Sequence, residues 1–247
     1  VIAPSCKIEK MLMDYGVEQP IKVIPTGLCL KKFSENIPQE TINQLKGKLG
    51  IPLNDKVLIT VGRTAKEKNI EEIIRYFSQL NMKNTVLVIV GDGPYLNVLK
   101  EIAKSEKLAD KIIFTGAVSP DEIALYYKLG DIFLSASQSE TQGLTYIEAL
   151  ASGLPAVCRK DSCLDNVITN GENGGQYTNF DEFSQLVKTI LEHNELYIKL
   201  SENSVKTAQK YSAKEFAKNI ESVYKSVLEK RKHYEITDTS YYCKDCI

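Results

Sequence analysis

Val57-Leu-Ile-Thr-Val61 and Val86-Leu-Val-Ile-Val90 are two short apolar runs, separated by a segment with the pattern of an amphipathic helix. Runs of this kind are typical of parallel strands that helices cover on both faces. The helix is indicated by apolar residues spaced three and four apart, at Ile70, Ile73, Ile74, Phe77 and Leu80. Strand, helix and strand in this order predict a doubly wound parallel α/β sheet.

The same alternation continues along the chain. A helix is expected at Ser119-Pro120-Asp121-Glu122, where a capping residue precedes a proline and two acids, and another from near Leu144 to just before Gly153. Together these elements predict a Rossmann-like domain over residues 31–212. Its strands are predicted at Lys56–Val61, Thr85–Val90, Lys111–Phe114, Ile132–Ser135 and Ala156–Arg159.

Both ends of the chain lie outside this repeat. The pattern of residues 1–30 predicts a strand, a helix and a second strand at Lys22–Pro25. Residues 31–55 are expected to form a linker with one short helix. A long helix is predicted at Ala213–Lys232, followed by a polar tail at 233–247. Because the chain opens on Val1 inside an apolar stretch, we expect it to be part of a longer protein.

Charge and composition exclude some classes of partner. The 247 residues are 43% apolar and 26% charged, as in ordinary globular domains. The 31 basic and 32 acidic residues leave a net charge of -1, which argues against a nucleic-acid partner. No apolar run in the sequence approaches the length that crosses a bilayer.

The six cysteines are expected to be reduced thiols of a cytoplasmic protein. Only Cys243 and Cys246 have the spacing of metal ligands, and a structural zinc site would need two more ligands with matching spacing. A redox pair with this spacing is expected near a strand–helix unit, whereas these two residues lie in the polar tail.

Candidate ligand-binding residues directly follow the predicted strands. In a doubly wound sheet, ligands bind beyond the carboxyl ends of the strands. Arg63 offers a planar set of donors and Lys68 a point charge, and both suit a diphosphate. Gly62 lets the backbone approach a ligand closely.

A second group of candidates surrounds the helix that begins near Leu144. Gly143 and the N–H groups of Leu144 and Thr145 open this helix, where unpaired donors favour an anion. Glu148 lies one turn further and can accept both hydroxyls of a ribose, while Glu140 in the preceding loop can bind a sugar hydroxyl.

Each signal has a simpler interpretation when it is taken alone. Arg63 or Lys68 would ordinarily be a solvated charge, Glu148 an exposed helix residue, and Gly91-Asp-Gly-Pro94 a turn. The glycine pattern of a dinucleotide site is not matched, since Gly62 is followed by Arg63 and Thr64. A basic pair, a glycine at a helix start and two acids eight apart on one sheet edge nevertheless favour a phosphorylated ligand.

Several segments resemble the family-four retaining glycosyltransferases, which have the GT-B fold. Glu140-Thr-Gln-Gly-Leu-Thr-Tyr-Ile-Glu148 looks like their E-x7-E motif, and the resemblance is collinear over residues 1 to about 175. The sequences around Ser139 and at Cys163-Leu-Asp-Asn-Val-Ile are most similar to those of the bacterial diacylglycerol glucosyltransferase branch. The other matching segments are Val1-Ile-Ala-Pro-Ser5, Val23-Ile-Pro-Thr-Gly27, Gly62-Arg63, Lys66-Glu-Lys-Asn69, Gly91-Asp-Gly-Pro94 and Ala149-Leu-Ala-Ser-Gly-Leu-Pro155.

The resemblance implies an activity and a role for each site residue. It implies transfer of a hexose, glucose in this branch, from a UDP-sugar with retained anomeric configuration and without a metal or other cofactor. Arg63, Lys68 and Glu140 would act at the reacting centre, on the diphosphate and the donor sugar. The donor would further be held by Gly62, Val118 (at the base), Gln142, Gly143, Leu144, Thr145 and Glu148 (at the ribose).

The resemblance also implies that part of the enzyme is missing from this chain. In this family an acceptor domain precedes the nucleotide domain, so residues 1–30 would be its remnant and the chain would bind UDP-sugar but transfer little. The acceptor would be a lipid such as diacylglycerol, at the inner face of the cell membrane. The helix at Ala213–Lys232 would pack on the absent domain, and its face with Phe216, Ile220, Val223 and Val227 could otherwise support a homodimer.

Two other functions share the predicted fold. A sugar-nucleotide epimerase or hydrolase would rearrange or release the sugar without an acceptor. A binding module would hold the nucleotide without chemistry of its own.

Overall fold

The computed structural model describes the backbone of residues 1–238 and the side chains of residues 1–229. The strands in this range are β1 Ile2–Ala3, β2 Lys22–Val23, β3 Lys56–Val61, β4 Thr85–Val90, β5 Ile112–Gly116, β6 Ile132–Ser135, β7 Ala156–Arg159 and β8 Gly174–Tyr177. The helices are α1 Cys6–Asp14, α2 Lys31–Ser34, α3 Gln39–Lys48, α4 Ile70–Leu80, α5 Leu96–Ser105, α6 Ile123–Leu129, α7 Leu144–Ala151, α8 Phe180–Glu192, α9 Asn194–Gln209 and α10 Ala213–Asp238.

A parallel sheet of order β5-β4-β3-β6-β7-β8 forms the centre of the described chain. This confirms the predicted doubly wound α/β fold. The strand order reverses between β3 and β6, because successive strands add first on one side of β3 and then on the other. The crevice beyond the carboxyl ends of β3 and β6 is therefore the expected ligand site.

Each face of the sheet is covered by its own hydrophobic core, because alternate side chains of a strand point to opposite faces. Leu58 and Ile59 are neighbours on β3, both fully buried, yet they belong to different cores. One core joins Val57, Ile59, Val88 and Phe133 to α3, α6 and α7, and the other joins Leu58, Leu87, Ile89 and Leu134 to α4, α5 and α8.

The edge strand β8 was not expected from the sequence, because Gly-Gly-Gln-Tyr has little strand propensity. Tertiary packing imposes it: a Cβ on Gly174, whose φ is +149°, would lie 1.9 Å from the carbonyl oxygen of Ala156 on β7. The outer edge is partly capped by side chains, since the N–H of Gln176 donates to Asn170 Oδ1 at 2.7 Å. Such capping hinders pairing with another strand.

Several predicted boundaries need correction. The strand predicted at Lys111–Phe114 runs from Ile112 to Gly116, and α6 begins at Ile123 because residues 120–122 form a turn capped by Ser119. The segment 31–55 contains two helices instead of one.

Residues 1–30 form a small unit on the carboxyl side of the main sheet. β1 and β2 pair in parallel, with Ile2 opposite Lys22, and α1 connects them. β2 ends at Val23, two residues before the predicted end of this strand. The N–H of Leu28 then donates to the carbonyl of Tyr211 at 2.9 Å, which attaches this unit to the start of α10.

The terminal helix is longer than predicted. α10 continues to Asp238, beyond the expected end at Lys232, because no glycine or proline interrupts residues 213–238. Phe216, Ile220 and Val223 are partly buried, whereas Val227 is 58% exposed. Part of the apolar face for which a homodimer was considered is thus packed against the described chain, and the remainder is open.

Among the described cysteines, Cys6 and Cys29 are exposed thiols and Cys158 and Cys163 are buried ones. Cys243 and Cys246 lie outside the described residues, as does the end of the predicted tail. Of the helices described here, none is both long and apolar enough to cross a membrane.

Candidate functional site

Two glycines of Gly91-Asp-Gly-Pro94 let the loops after β3 and β4 run side by side. A Cβ on Gly91, whose φ is +132°, would lie 1.9 Å from the carbonyl oxygen of Gly62, and one on Gly93 would lie 2.5 Å from that of Thr64. Hydrogen bonds join the two loops, from the N–H of Thr64 to Asp92 and from the N–H of Tyr95 to Thr64, both at 2.9 Å. This segment therefore positions Gly62 and the adjacent Arg63.

A cavity of about 500 Å³ lies at the point where the strand order reverses. Residues from the loops after β3 and β6, from the start of α7 and from the segment 1–30 form its walls. Its lining includes Gly62, Arg63, Lys68, Glu140, Gln142, Gly143, Leu144 and Thr145 together with Pro4 and Thr26. The structure thus brings together residues that the sequence analysis selected separately.

Val118 lines an adjoining cavity of about 270 Å³, which shares Gly62 and Arg63 with the larger one. The two cavities follow the carboxyl edge of the sheet in opposite directions from Arg63, one towards α7 and the other towards β5. This layout can hold a diphosphate near Arg63 with the base towards Val118 and the sugar towards Glu140.

A larger cavity, of about 900 Å³, lies elsewhere, between β8, α8 and α9. It has apolar side chains such as Leu186 and Leu200 and a polar rim, and it includes none of the predicted site residues. We place the chemistry in the smaller cavity, because Arg63 and Lys68 converge there with Glu140 and the amino terminus of α7 at the point where the strand order reverses.

Both cations of the site are paired with carboxylates. Lys68 Nζ lies 2.6 Å from Glu140 Oε1, with 28% and 16% of the two side chains exposed. Arg63 forms an ion pair with Glu67, one turn along the chain, and is more exposed. Two positive charges at the end of β3 suit an anion with several phosphate oxygens, which would compete with these carboxylates.

The start of α7 faces the same cavity. Gly143 has a φ of +74°, a conformation that favours glycine, and a Cβ there would lie 2.6 Å from the ring of Tyr146. As the first residues of a helix, Leu144 and Thr145 have N–H groups without partners inside the helix. These donors and the helix dipole favour a negatively charged group at this end of the cavity.

Glu148 lies one turn into α7, beyond the residues that line the two cavities. Its Oε2 accepts a hydrogen bond of 2.8 Å from the hydroxyl of Tyr127 on α6. Burial raises the pKa of Glu148, while the hydrogen bond from Tyr127 and the charge of Lys32 oppose this rise. Tyr127 and Lys32 were not predicted as site residues, since no local sequence pattern relates them to Glu148.

Gln142 lines the cavity, but both ends of its side-chain amide are engaged elsewhere. Oε1 accepts from the N–H of Thr26 at 2.8 Å, and Nε2 donates to the carbonyl of Thr26 at 2.9 Å. In this arrangement the side chain fastens the segment 1–30 to the loop before α7. Any contact of Gln142 with a ligand would have to come from its backbone.

Two further contacts attach the segment 1–30 to this loop. Ser5 Oγ donates to the carbonyl of Thr141, and Lys7 Nζ lies 2.7 Å from both the carbonyl of Gln138 and Asp161 Oδ2. The loop that holds Glu140 is therefore braced by the segment 1–30. Sequence spacing does not reveal these contacts, which join residues more than 100 positions apart.

The residues with described side chains contain no cluster of three or more His, Cys, Asp or Glu suited to a metal ion. The charged side chains that line the cavity are two cations and one carboxylate, and the first N–H groups of α7 lie beside them. With the doubly wound sheet, they define the class of α/β domains that bind nucleotides at the strand switch point.

The chain belongs to the Glycosyl transferases group 1 family, whose sequence profile matches residues 41–207. This confirms the resemblance to the family-four glycosyltransferases that the E-x7-E segment indicated.

Two relatives are named alpha-monoglucosyldiacylglycerol synthase. The protein from Streptococcus pneumoniae is 46% identical over 180 residues, which are 72% of this chain and 41% of that protein. The protein from Acholeplasma laidlawii is 34% identical over 232 residues, covering 93% of this chain and 58% of its own length. The chain thus spans about half the length of these relatives.

The fold also matches a solved structure, Anabaena Alr3699/HepE in complex with UDP and glucose. The TM-score is 0.83 at 21% identity, over 92% of this chain and 63% of the other. This likeness confirms the fold, with the GT-B type of architecture that the sequence predicted.

Proposed function

We propose that the chain is the donor-binding part of a glycosyltransferase that moves glucose from UDP-glucose to a lipid acceptor, with retention of configuration. The observation that supports this most strongly is the shared cavity of Arg63, Lys68, Glu140 and the start of α7. Cations, a carboxylate and free backbone donors are the groups that a sugar diphosphate requires. The names of the two relatives support glucose as the sugar and diacylglycerol as the acceptor.

The cations stabilise the leaving group in this proposal. As the bond between the anomeric carbon and the β-phosphate oxygen breaks, its electron pair stays on UDP and adds negative charge there. Arg63 and Lys68, with the N–H groups of Leu144 and Thr145, lie where they can bind this charge. Because charge grows in the transition state, these contacts lower the barrier more than they stabilise the bound substrate.

The remaining residues hold the two ends of the donor. Glu148 accepts hydrogen bonds from the ribose hydroxyls, and the backbone at Val118 contacts the uracil. Glu140 binds a hydroxyl of the glucose once Lys68 has turned to the diphosphate. Gly62 and Gly143 permit close approach of the backbone, with φ values of +150° and +74°.

The acceptor site is proposed to be completed by another part of the protein. The segment 1–30 exposes apolar side chains for which the described chain offers no cover, at Val1, Ile2, Met11, Met13 and Tyr15. A preceding acceptor domain that covers them fits the longer relatives. On this proposal the chain alone binds the donor but transfers little sugar, and the whole protein works at the inner face of the cell membrane.

A homodimer through α10 is a further proposal. Tyr224, Val227 and Leu228 are about 60% exposed, and their burial against a second copy would remove apolar surface from water. Light scattering over a range of concentrations tests it, and a constant monomer mass would contradict it.

Calorimetric titration with UDP, UDP-glucose, GDP and NAD, without added metal, tests the donor site. We expect binding of the two uridine compounds and its loss in Arg63→Ala and Glu148→Ala. Arg75→Ala is the matched control, because Arg75 pairs with Glu106 on the surface, away from the cavity. Absence of uridine binding, or a preference for NAD, would reject the proposal.

Incubation of UDP-glucose with the chain, without acceptor, separates transfer from hydrolysis. We expect no free glucose to be released during the incubation. Steady production of free glucose would favour the hydrolase alternative.

A further inference from the structure

Tyr127 is a fully buried tyrosine whose hydroxyl reaches the side chain of Glu148. It lies on α6, has no exposed surface, and donates to Glu148 Oε2 at 2.8 Å. The carbonyl of Thr145, one of the first residues of α7, lies 3.4 Å from the same hydroxyl. One phenol thus contacts two residues of the helix that begins at the cavity.

The ring of Tyr127 is held from two sides. Phe33 on α2 packs edge-on, with ring centroids 5.7 Å apart and planes at 78°, and Phe133 on β6 lies 6.2 Å away. Burial on this scale locks the tyrosine in one rotamer, because interiors are close-packed. The hydroxyl is therefore a fixed donor at a fixed place.

Glu148 gains a defined orientation from this donor. A carboxylate on a helix surface otherwise rotates freely about its terminal bond. The hydrogen bond to Oε2 holds one oxygen inward, so that Oε1 and the remaining lone pairs are available outward. It also favours the ionised carboxylate, because a donor stabilises the charged acceptor.

We propose that Tyr127 is a positioning residue, which holds Glu148 in the orientation that accepts the ribose hydroxyls. This inference rests on the proposed function, since it requires Glu148 to bind a ribose. A tyrosine that only filled the core would contribute to folding and leave recognition of the ribose unchanged. The two roles can be distinguished, because only a positioning role makes the Tyr127 hydroxyl affect the preference for a nucleotide with ribose hydroxyls over one without them.

The test measures the affinities of UDP and of UDP that lacks both ribose hydroxyls. Wild-type protein should prefer UDP by at least about tenfold, the effect of losing one of the two hydrogen bonds to the charged group. Tyr127→Phe keeps the ring and should reduce this preference at least about threefold. Tyr126→Phe, on the same helix but without the bond to Glu148, should keep the wild-type ratio.

Each outcome has a defined meaning. If Tyr127→Phe folds and keeps the full wild-type preference, the inference is overturned. Wild-type protein that binds UDP but ignores the loss of the hydroxyls overturns the inference and leaves the diphosphate site standing. Wild-type protein that binds neither compound rejects the proposed function, and the inference with it.

A second variant covers the case in which Tyr127→Phe does not fold. Phe33→Leu keeps the Tyr127 hydroxyl but removes a ring that packs on it, so the tyrosine can shift and its hydroxyl is no longer held at one place beside Glu148. It should lower the preference for UDP by a smaller factor, and an unchanged preference would again overturn the inference.

Discussion

Lys68 Nζ lies 2.6 Å from Glu140 Oε1, although the two residues are 72 positions apart in the chain. The 3₁₀ turn after β3 and the loop before α7 bring them together at the cavity wall. Both side chains are largely covered, so water screens this ion pair only in part. Removing either partner therefore changes the charge that a ligand meets.

The two partners should respond differently to substitution. Lys68→Ala should weaken binding of both UDP and UDP-glucose by roughly ten- to a hundredfold, since a charged hydrogen bond to the diphosphate is lost. Glu140→Gln should leave UDP binding equal or slightly tighter, because a competing carboxylate is gone, but weaken the extra affinity for UDP-glucose. Titration calorimetry measures both, and equal losses for the two ligands in Glu140→Gln would contradict a sugar contact.

Binding of UDP-glucose should weaken on acidification, and the decline should begin at a higher pH than a fully solvated glutamate would give. Burial raises the pKa of Glu148 above 4.5, despite the opposing effects of Tyr127 and Lys32, and only the ionised group accepts both hydroxyls. Affinity should be full above this raised pKa and fall as the pH drops through it. UDP-glucose is the suitable probe, because its diphosphate carries no titrating proton in this range.

Glu148→Gln is the control for that pH dependence. It should bind less tightly overall and lose the acidic decline. If the affinity of Glu148→Gln for UDP-glucose fell in the same way at low pH, the pH dependence would belong to another group.

Substitution of Gln142 can show whether its side chain contacts the ligand or only holds the segment 1–30 in place. Gln142→Leu should lower the free energy of unfolding by about 1 kcal/mol, since two hydrogen bonds to Thr26 are lost and water can replace part of them at this exposed residue. Its affinity for UDP should change only a fewfold. Urea denaturation and calorimetry together decide, with Gln138→Leu as a control at an exposed site.

A large loss of UDP affinity in Gln142→Leu, with unchanged stability, would contradict this structural role. It would show that the Gln142 side chain contacts the ligand, as the resemblance implied.

Gly91→Ala should be strongly destabilising. The new Cβ would lie 1.9 Å from the carbonyl oxygen of Gly62 at a φ of +132°, so the loops after β3 and β4 would have to separate. We expect a loss of at least about 2 kcal/mol in urea denaturation, in the range of strained backbone positions and overpacking. UDP binding should also weaken, because the displaced loop after β3 carries Arg63.

Gly47→Ala is the matched control for Gly91→Ala. A Cβ on Gly47 meets nothing within 4 Å, and the residue lies in α3, so alanine should stabilise by up to about 1 kcal/mol. Equal destabilisation by both substitutions would show that the contact with Gly62 does not matter.

The elements that the sequence predicted correctly have strong local patterns. β3 and β4 are continuous apolar runs with defined ends, and α4 has a single buried stripe, so the structure confirms their positions. β8 and α2 have no such pattern. The backbone of β8 follows from its contact with β7, and that of α2 from the burial of Phe33 against Tyr127 on α6, and a local pattern contains neither contact.

By itself, the sequence determined the doubly wound fold, the family, and the residues that follow β3 and β6, because these depend on periodicity and on motifs contiguous in the chain. Only the tertiary structure decided what those residues contact. Glu140 pairs with Lys68, Gln142 is engaged by Thr26, and Glu148 is held by Tyr127. Side-chain partners depend on which loops and helices approach one another, and that is set by packing between segments far apart in sequence.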